Sequence, residues 1–120
     1  MERYPVTEAD TAAVVGSGDV PVLATPRLIA WLEAATVQAA APLIEAGQTT
    51  VGTAVRIEHR RATPVGGTVE VTAALVGQRD GRRLTFAVDA VDGSGQSVAA
   101  GEIDRVIVDR ERFIRGAAPA

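Results

Sequence analysis

The sequence predicts an α+β fold in which one long central helix is wrapped by a curved antiparallel sheet. Two observations carry this prediction. The segment from Pro26 to Ala41 contains only four polar residues, and a helix that is apolar on nearly all sides is usually surrounded by protein. After Gly47 the hydrophobic pattern changes to period two, and turn signals divide it into extended segments. A single helix followed by an antiparallel meander is a layered arrangement in which the sheet must curve to enclose the helix.

Length and composition set the limits of this fold. The 120 residues are predicted to form one domain spanning 1–120, with a core of Ala, Val, Ile and Leu because aromatic residues make up 3% of the chain. The formal net charge of -3 argues against nucleic acid as a partner. The chain has one histidine and no cysteine, so we predict no metal and no cofactor. No secretory signal or membrane-length apolar run is present, which predicts a cytoplasmic protein without a membrane partner.

The first 24 residues are predicted to be short and broken. Residues 11–15 could form a strand that the glycine-rich cluster Gly16–Asp19 ends, and residues 20–24 read as an extended connection. Thr25 followed by Pro26 is a strong helix start, with Thr25 as the N-cap and Pro26 at the first helical position. The helix should run to about residue 41, where Pro42 can interrupt it before Gly47.

The rest of the chain is predicted to be extended. In the first long strand, alternation places the side chain of His59 on the core-facing side with Val51, Val55 and Ile57, and Gly52 on the other side. A turn signal of the type Arg-Asp-Gly-Arg at residues 79–82 predicts a hairpin. The predicted strands are Val51–Arg60, Thr68–Val76, Leu84–Val91 and Gln96–Val108, followed by a terminal turn at 110–115 and a frayed end at 116–120. Because one sheet cannot cover the helix completely, we predict a twofold dimer.

Glu33 is the first candidate for chemistry. It shares a helix row with Ile29 and Val37 by i±4 spacing, and a carboxylate on a buried face needs a partner or a task. The structural alternative is an ion pair, for which Arg105 is the best candidate because it alternates with Ile103 and other apolar residues of the last strand.

His59 and Thr25 are the other two candidates. His59 is the natural general base or acid near neutral pH, and its alternative role is an inward strand-end histidine bonded to the backbone. Thr25 could be a plain helix cap, or could lie beside helix amides that stabilise an oxyanion. Thr25 and Glu33 should lie about 12 Å apart along the helix, so one of them would come from a partner subunit, or the substrate would span both.

Several arginines surround these candidates. Arg56, Arg60 and Arg61 flank His59, and Arg82 and Arg83 follow the predicted hairpin. They are either solvated surface charges or contacts to the phosphates of a nucleotide-bearing substrate, with Arg60 as the substrate-binding candidate nearest His59.

Three segments of the chain resemble one known family. They are VLATPRLIAWLE (Val22 to Glu33), VGTAVRIEHRRATPVGGTVEV (Val51 to Val71) and DRVIVDRERF (Asp104 to Phe113). Together they resemble the hot-dog thioesterases of the fluoroacetyl-CoA thioesterase-like family, over roughly residues 20–115. The spacing between the Thr, Glu and His of these segments is similar as well.

The resemblance implies a dimeric hot-dog fold with active sites at the subunit interface and hydrolysis of an acyl-CoA or related thioester. It implies Thr25, Glu33 and His59 as catalytic residues, Arg105 as the arginine near the last strand and Gly52 as the strand glycine. The family's fluoroacetyl specialist has an aromatic-bearing lid before the helix, whereas the corresponding GSGDVPVLAT here has no aromatic residue.

Three functions therefore compete, ahead of a purely structural dimer, which comes last because it leaves the inward Glu33 and His59 unexplained. The first is hydrolysis of an acyl-CoA or acyl-carrier thioester. The alternative is a binding module of the same fold that holds the thioester without turnover. A hot-dog hydratase or dehydratase ranks lower, because that chemistry usually uses an Asp and a His close in sequence, and the chain has no such pair.

Overall fold

The structure is a computed structural model that describes residues 1–117 and 119. It contains one long helix, four long strands, and short elements at both ends. The helices are α1 (Ala12–Val15), α2 (Thr25–Ala40) and α3 (Arg110–Gly116), with single 3-10 turns at Glu8–Asp10 and Ala41–Leu43; the strands are β1 (Glu2–Pro5), β2 (Gln48–His59), β3 (Thr68–Arg79), β4 (Arg83–Asp92) and β5 (Ser97–Asp109).

The strands form one curved antiparallel sheet in the order β1-β3-β4-β5-β2. Helix α2 packs on its inner face, and alternate residues of β3, β4 and β5 point toward the helix. This confirms the predicted α+β arrangement, and the four long predicted strands are present with ends that differ from the prediction by at most three residues. The core contains Leu23, Leu28, Leu32, Val69, Val71, Leu84, Phe86, Val88, Ala90, Ile103 and Ile107, among others.

Helix α2 is covered by the sheet along one face only. Leu28, Leu32, Thr36 and Ala40 are buried at i, i+4 spacing, whereas Val37 on another side is 49% exposed. The prediction that Glu33 lies on a buried face is therefore wrong for the single chain, since its side chain is 39% exposed. An apolar helix surface remains uncovered, as expected if a second subunit completes the enclosure.

The N-terminal region differs from the prediction. Residues 12–15 form the short helix α1 rather than a strand, because the Thr11 hydroxyl accepts a bond from the Val14 amide and closes the turn. Strand β1 was not predicted and pairs with β3 at the opposite edge of the sheet from β2. Thr25 is not the N-cap of α2: the extended residue before it, Ala24, takes that position, and Thr25 is the first helical residue.

A β-bulge interrupts strand β2. Gly52 pairs with Arg105 and Ala54 pairs with Asp104, so Thr53 is an extra residue with no partner in β5. The bulge reverses the alternation on its N-terminal side. Gly52 therefore faces the helix and its neighbour Val51 faces outward, which corrects the predicted faces of these two residues.

At the C-terminal end, Asp109 caps α3 by accepting a hydrogen bond from the Arg112 amide at 2.9 Å. The predicted turn at 110–115 is this short helix, which ends at Gly116, and Ala118 and Ala120 of the predicted frayed end lie outside the described residues. Within residues 1–117 and 119, none of the helices is long and apolar enough to cross a membrane.

Candidate active site

Thr25 and His59 meet where the start of α2 faces the end of β2. The Thr25 Oγ1 atom lies 2.7 Å from His59 Nδ1. His59 points inward because its pairing partner in β5, Ala99, belongs to the core. Because Ala24 rather than Thr25 occupies the N-cap position, the Thr25 hydroxyl does not cap the helix. It is therefore available to the imidazole. A hydroxyl within hydrogen-bond reach of a histidine is the arrangement of an activated nucleophile.

The environment of His59 keeps its imidazole neutral at pH 7. Burial lowers the pKa of His59 below its ordinary value of 6.5, and the backbone of Arg61 opposes this shift. The Nε2 atom is buried without a well-formed hydrogen bond to any described residue, although that backbone lies near the ring. Because Nδ1 of the neutral imidazole contacts the Thr25 hydroxyl, it can accept the proton of that hydroxyl.

Thr25 and His59 line a small pocket of about 310 Å³. Residues of α1 and of the extended connection before α2 form its apolar wall, and Arg60 and Arg61 form part of its polar side. Sequence reasoning missed the wall residues, because their pattern resembled a broken connection rather than an enclosure. The apolar wall residues are Ala12, Val20, Val22 and Leu23.

A second cluster lies in the middle of α2. The Glu33 Oε2 atom is 3.6 Å from Arg105 Nη1, which confirms the predicted pair. Arg105 is only 7% exposed and is held by Thr50, since Nε donates to the Thr50 hydroxyl at 2.9 Å and Nη2 to its carbonyl at 3.1 Å. Burial lowers the pKa of Arg105 while Glu33 opposes the shift, and the guanidinium, the most basic side chain in proteins, stays charged.

Gly52 lets the carboxylate approach the sheet. A Cβ atom at Gly52 would lie 2.9 Å from Glu33 Oε2 and 3.4 Å from Arg105 Nη1. A Cβ atom would fit there only if the carboxylate moved away, so the glycine, the carboxylate and the guanidinium form one compact group. Sequence reasoning missed Thr50, although its position two residues before Gly52 on the same face could have indicated it.

The two clusters are separate within one chain. Thr25 contacts His59, Glu33 contacts Arg105, and eight residues of helix, about 12 Å, lie between Thr25 and Glu33. The predicted catalytic residues are therefore not brought together by a single subunit.

The arginines near His59 are engaged with carboxylates. Arg56 binds Asp104 at 2.9 Å and Glu102 at 3.1 Å on the outer face of the sheet. Arg60 lines the pocket but pairs with Glu58 at 2.9 Å, and both side chains are more than half exposed. Arg61 lies 3.6 Å from Asp92. No group of three or more potential metal ligands is present among residues 1–117 and 119.

A curved antiparallel sheet around one long helix, with Thr25 and His59 at the helix start, defines a hot-dog protein of the thioesterase class. The family model described as FlK, fluoroacetyl-CoA-specific thioesterase, matches residues 6–111. The chain belongs to that family.

Individual relatives agree with this assignment. The chain is 40% identical over 92 residues to a fluoroacetyl-CoA thioesterase of Streptantibioticus cattleyicolor, and the alignment spans 77% of this chain and 65%, less than two thirds, of that relative. The solved structure of the fluoroacetyl-CoA thioesterase FlK matches with a TM-score of 0.86 and 32% identity, covering 98% of this chain and 93% of that one. A variant of FlK in complex with fluoroacetate and CoA matches with a TM-score of 0.82 and 34% identity, covering 93% of each chain.

Proposed function

We propose that this protein hydrolyses an acyl-CoA thioester to a free acid and CoA. The observation that carries the proposal is the 2.7 Å contact between the Thr25 hydroxyl and a partly buried, neutral His59, in a chain of a thioesterase family. The family membership and the activity named for the relatives favour turnover over the alternative of a binding module. A cytoplasmic location stays a prediction.

The chemistry follows from the roles that each group can take. His59 Nδ1 accepts the proton of the Thr25 hydroxyl as the hydroxyl oxygen attacks the thioester carbonyl. His59 then donates this proton to the CoA sulfur as the C–S bond breaks, which releases CoA and leaves an acyl ester on Thr25. Backbone N–H groups at the start of α2, beside Thr25, are proposed to stabilise the developing oxyanion. Water then cleaves the ester, with Glu33 as the base for that water and Arg105 and Gly52 positioning the carboxylate.

We further propose that two subunits build each site. Thr25 and His59 of one protomer would combine with Glu33, Gly52 and Arg105 of its partner. The 12 Å between Thr25 and Glu33 in one chain supports this arrangement, since a general base must approach within about 3 Å of the proton that it accepts. The partly exposed carboxylate of Glu33 is accessible to a second subunit.

The edge of the sheet supports the same dimer. Among residues 1–117 and 119, strand β2 pairs only with β5, so one side of its 12 residues has backbone groups without a sheet partner there. Long open edges favour pairing with another strand, and antiparallel pairing of β2 with its twofold copy is one way to satisfy them. If the twofold axis falls near Arg56, which lies three paired positions from each of them because Thr53 is looped out, the pairing brings His59 of one protomer opposite Gly52 of the other.

The acyl pocket is proposed to accept groups other than fluoroacetyl. The wall beside Thr25 consists of small aliphatic residues from α1 and the segment before α2, and Gly16–Thr25 contains no aromatic side chain. Arg60 at the polar side of this pocket is proposed to contact the polar part of the thioester arm.

The test of hydrolysis follows thiol release from a panel of short, branched and aryl acyl-CoAs. We expect the wild type to release CoA from at least one member, and Glu33→Gln and His59→Ala to lose most of that activity while keeping their folded structure. If the wild type releases no more thiol than these variants with every substrate, the hydrolase proposal fails. Retained binding of the acyl-CoA in that case would point to the binding module.

The two-subunit site has a separate test by mixing of inactive variants. Equal amounts of Glu33→Gln and His59→Gln protein are unfolded together and refolded, so that about half of the dimers carry one copy of each. A site shared between subunits then contains one fully wild-type centre in each mixed dimer, which restores roughly a quarter of the activity. No recovery in a demonstrably mixed dimer, or full activity of a strictly monomeric protein, would rule the arrangement out.

A further inference from the structure

We propose that the groove between α3 and the β3–β4 hairpin binds the phosphorylated adenine nucleotide of CoA. This groove, of about 830 Å³, is larger than the pocket beside His59. Its walls come from the hairpin, the end of β5, the start of β2 and α3. The inference rests on the proposed function, because it assumes that the thioester carrier is CoA. The lining residues that carry the argument are Arg82, Ile107, Arg112 and Phe113.

Charge favours an anionic ligand at this end of the molecule. Six of the twelve basic residues, all arginines, lie within residues 79–83 and 109–115, where they accompany only three carboxylates. The chain as a whole carries a formal charge of -3, so this positive region stands out against an acidic protein. Glu45 and Asp109 also line the groove, and Asp109 is already used as the cap of α3.

Two of these arginines are free to bind phosphate. Arg82 and Arg112 line the groove, and neither pairs with a carboxylate of residues 1–117 or 119. Their neighbours Arg83 and Arg115 pair with Asp80 at 3.6 Å and Glu111 at 3.9 Å. A guanidinium offers a planar set of donors that suits phosphate oxygens, so the arginines in the groove are the ones available for this contact.

Phe113 gives the groove a surface for the adenine ring. The side chain is 45% exposed and lines the groove, whereas Phe86 is fully buried and the Tyr4 and Trp31 rings stack on each other at 4.4 Å. Phe113 is thus the most exposed aromatic side chain among the described residues. Bases stack on exposed aromatic faces, so Phe113 is the side chain in this groove on which the adenine ring would lie.

The groove lies next to the Glu33 and Arg105 cluster and far from His59 of the same chain. It begins at Ile107, two residues or about 7 Å along β5 from Arg105, on the same inner face of the sheet. His59 of the same chain is eleven residues from Gln48 along β2, on the order of 35 Å away. A thioester carbonyl near Glu33 can therefore extend its pantetheine arm toward this groove, while His59 and Thr25 come from the partner.

The test uses CoA and pantetheine as probes and needs no turnover. Binding of each is measured by titration calorimetry to the wild type and to two double variants of equal charge. Arg82→Ala with Arg112→Ala removes the groove arginines, and Arg83→Ala with Arg115→Ala removes their paired neighbours. Each charged hydrogen bond to phosphate corresponds to about tenfold in Kd.

We expect the groove variant to raise the Kd for CoA by about tenfold or more and to leave pantetheine binding unchanged. In the control variant the Kd for both probes should stay within about twofold of the wild-type value, because Arg83 and Arg115 already pair with carboxylates. Equal weakening in both double variants would reveal only a general charge effect and would overturn the inference. An unchanged Kd for CoA in the groove variant would overturn it as well.

Aromatic stacking has its own matched pair. Phe113→Ala should raise the Kd for CoA several-fold. Ile114 is 63% exposed and lies outside the groove, so Ile114→Ala should leave this Kd unchanged. If the wild type binds pantetheine as tightly as CoA, the nucleotide has no site and the inference fails. CoA binding that depends on the groove arginines without any thiol release would leave this inference standing and refute the proposed hydrolysis.

Discussion

Replacing Gly52 with alanine is expected to damage the candidate site without unfolding the protein. The new methyl carbon would lie 2.9 Å from Glu33 Oε2 and 3.4 Å from Arg105 Nη1. Ordinary contacts of a Cβ atom begin at about 3.4 Å. The carboxylate must therefore retreat by about 0.5 Å, while the guanidinium, which Thr50 holds at 2.9 Å, keeps its place.

The size of the effect follows from what has to move. The displaced atom is the end of a flexible, partly exposed side chain, so the free energy of unfolding should fall by less than about 1 kcal/mol. A catalytic group is more sensitive, since a misplacement of about 1 Å can cost about 100-fold in rate. A shift of half that distance predicts a decrease in kcat of roughly tenfold, with a smaller change in KM.

The assay compares thiol release and thermal unfolding of Gly52→Ala with those of the wild type. Gly77→Ala is the matched control, because Gly77 also lies beside a bulge in a strand and its added Cβ would meet Thr85 at an ordinary 3.7 Å. Unchanged kcat in Gly52→Ala would refute the role of the Glu33 position. A loss of several kcal/mol in stability would show that the backbone, rather than the carboxylate, has to move.

Three further predictions concern the residues around this site. Because burial lowers the folded-state pKa of His59, the unfolded chain binds the proton more readily, so the free energy of unfolding should fall as pH drops below about 6.5. The acid limb of kcat/KM should likewise lie below pH 6.5, and a stability profile that His59→Gln leaves unchanged in this range would contradict the assignment. Arg105→Met should lower the free energy of unfolding in urea by roughly 1–3 kcal/mol, because both Thr50 acceptors lose their donor; a neutral result would mean that water replaces the guanidinium. Thr25→Ser should keep most of the activity and Thr25→Val should lose about 100-fold or more, and a valine variant near wild-type rates would assign the attack to water activated by Glu33.

Periodicity was sufficient to predict the parts of the fold that obey it. The apolar run from Pro26 onward, the alternation in β3 to β5 and the Arg79–Arg82 turn predicted the helix, the sheet and the hairpin. The partner of Glu33 was predictable for the same reason, since Arg105 alternates with buried residues in an uninterrupted strand.

The remainder depended on contacts that no local pattern contains. The hydrogen bond from the Val14 amide to the Thr11 hydroxyl made residues 12–15 helical. Strand β1 exists because β3, more than 60 residues later in the chain, pairs with it. The position of Thr25 as first helical residue followed from the extended backbone of Ala24, although Thr is the better cap by residue type. Its contact with His59 joins residues 34 positions apart, which sequence reasoning could place in one site only through the resemblance.

The bulge at Thr53 changes which residues of β2 face the helix on its two sides. Gly52 and His59 are seven positions apart, and an odd interval in a regular strand puts two side chains on opposite faces. With Thr53 looped out, the effective interval becomes even, so the glycine beside Glu33 and the histidine beside Thr25 both face the helix. Pairing Thr53 in a regular ladder would turn one of the two clusters to the outer face, whereas deleting Thr53 would leave an even interval and keep both clusters facing the helix. The position of the bulge between Gly52 and His59, rather than the identity of Thr53, therefore sets the faces of both clusters.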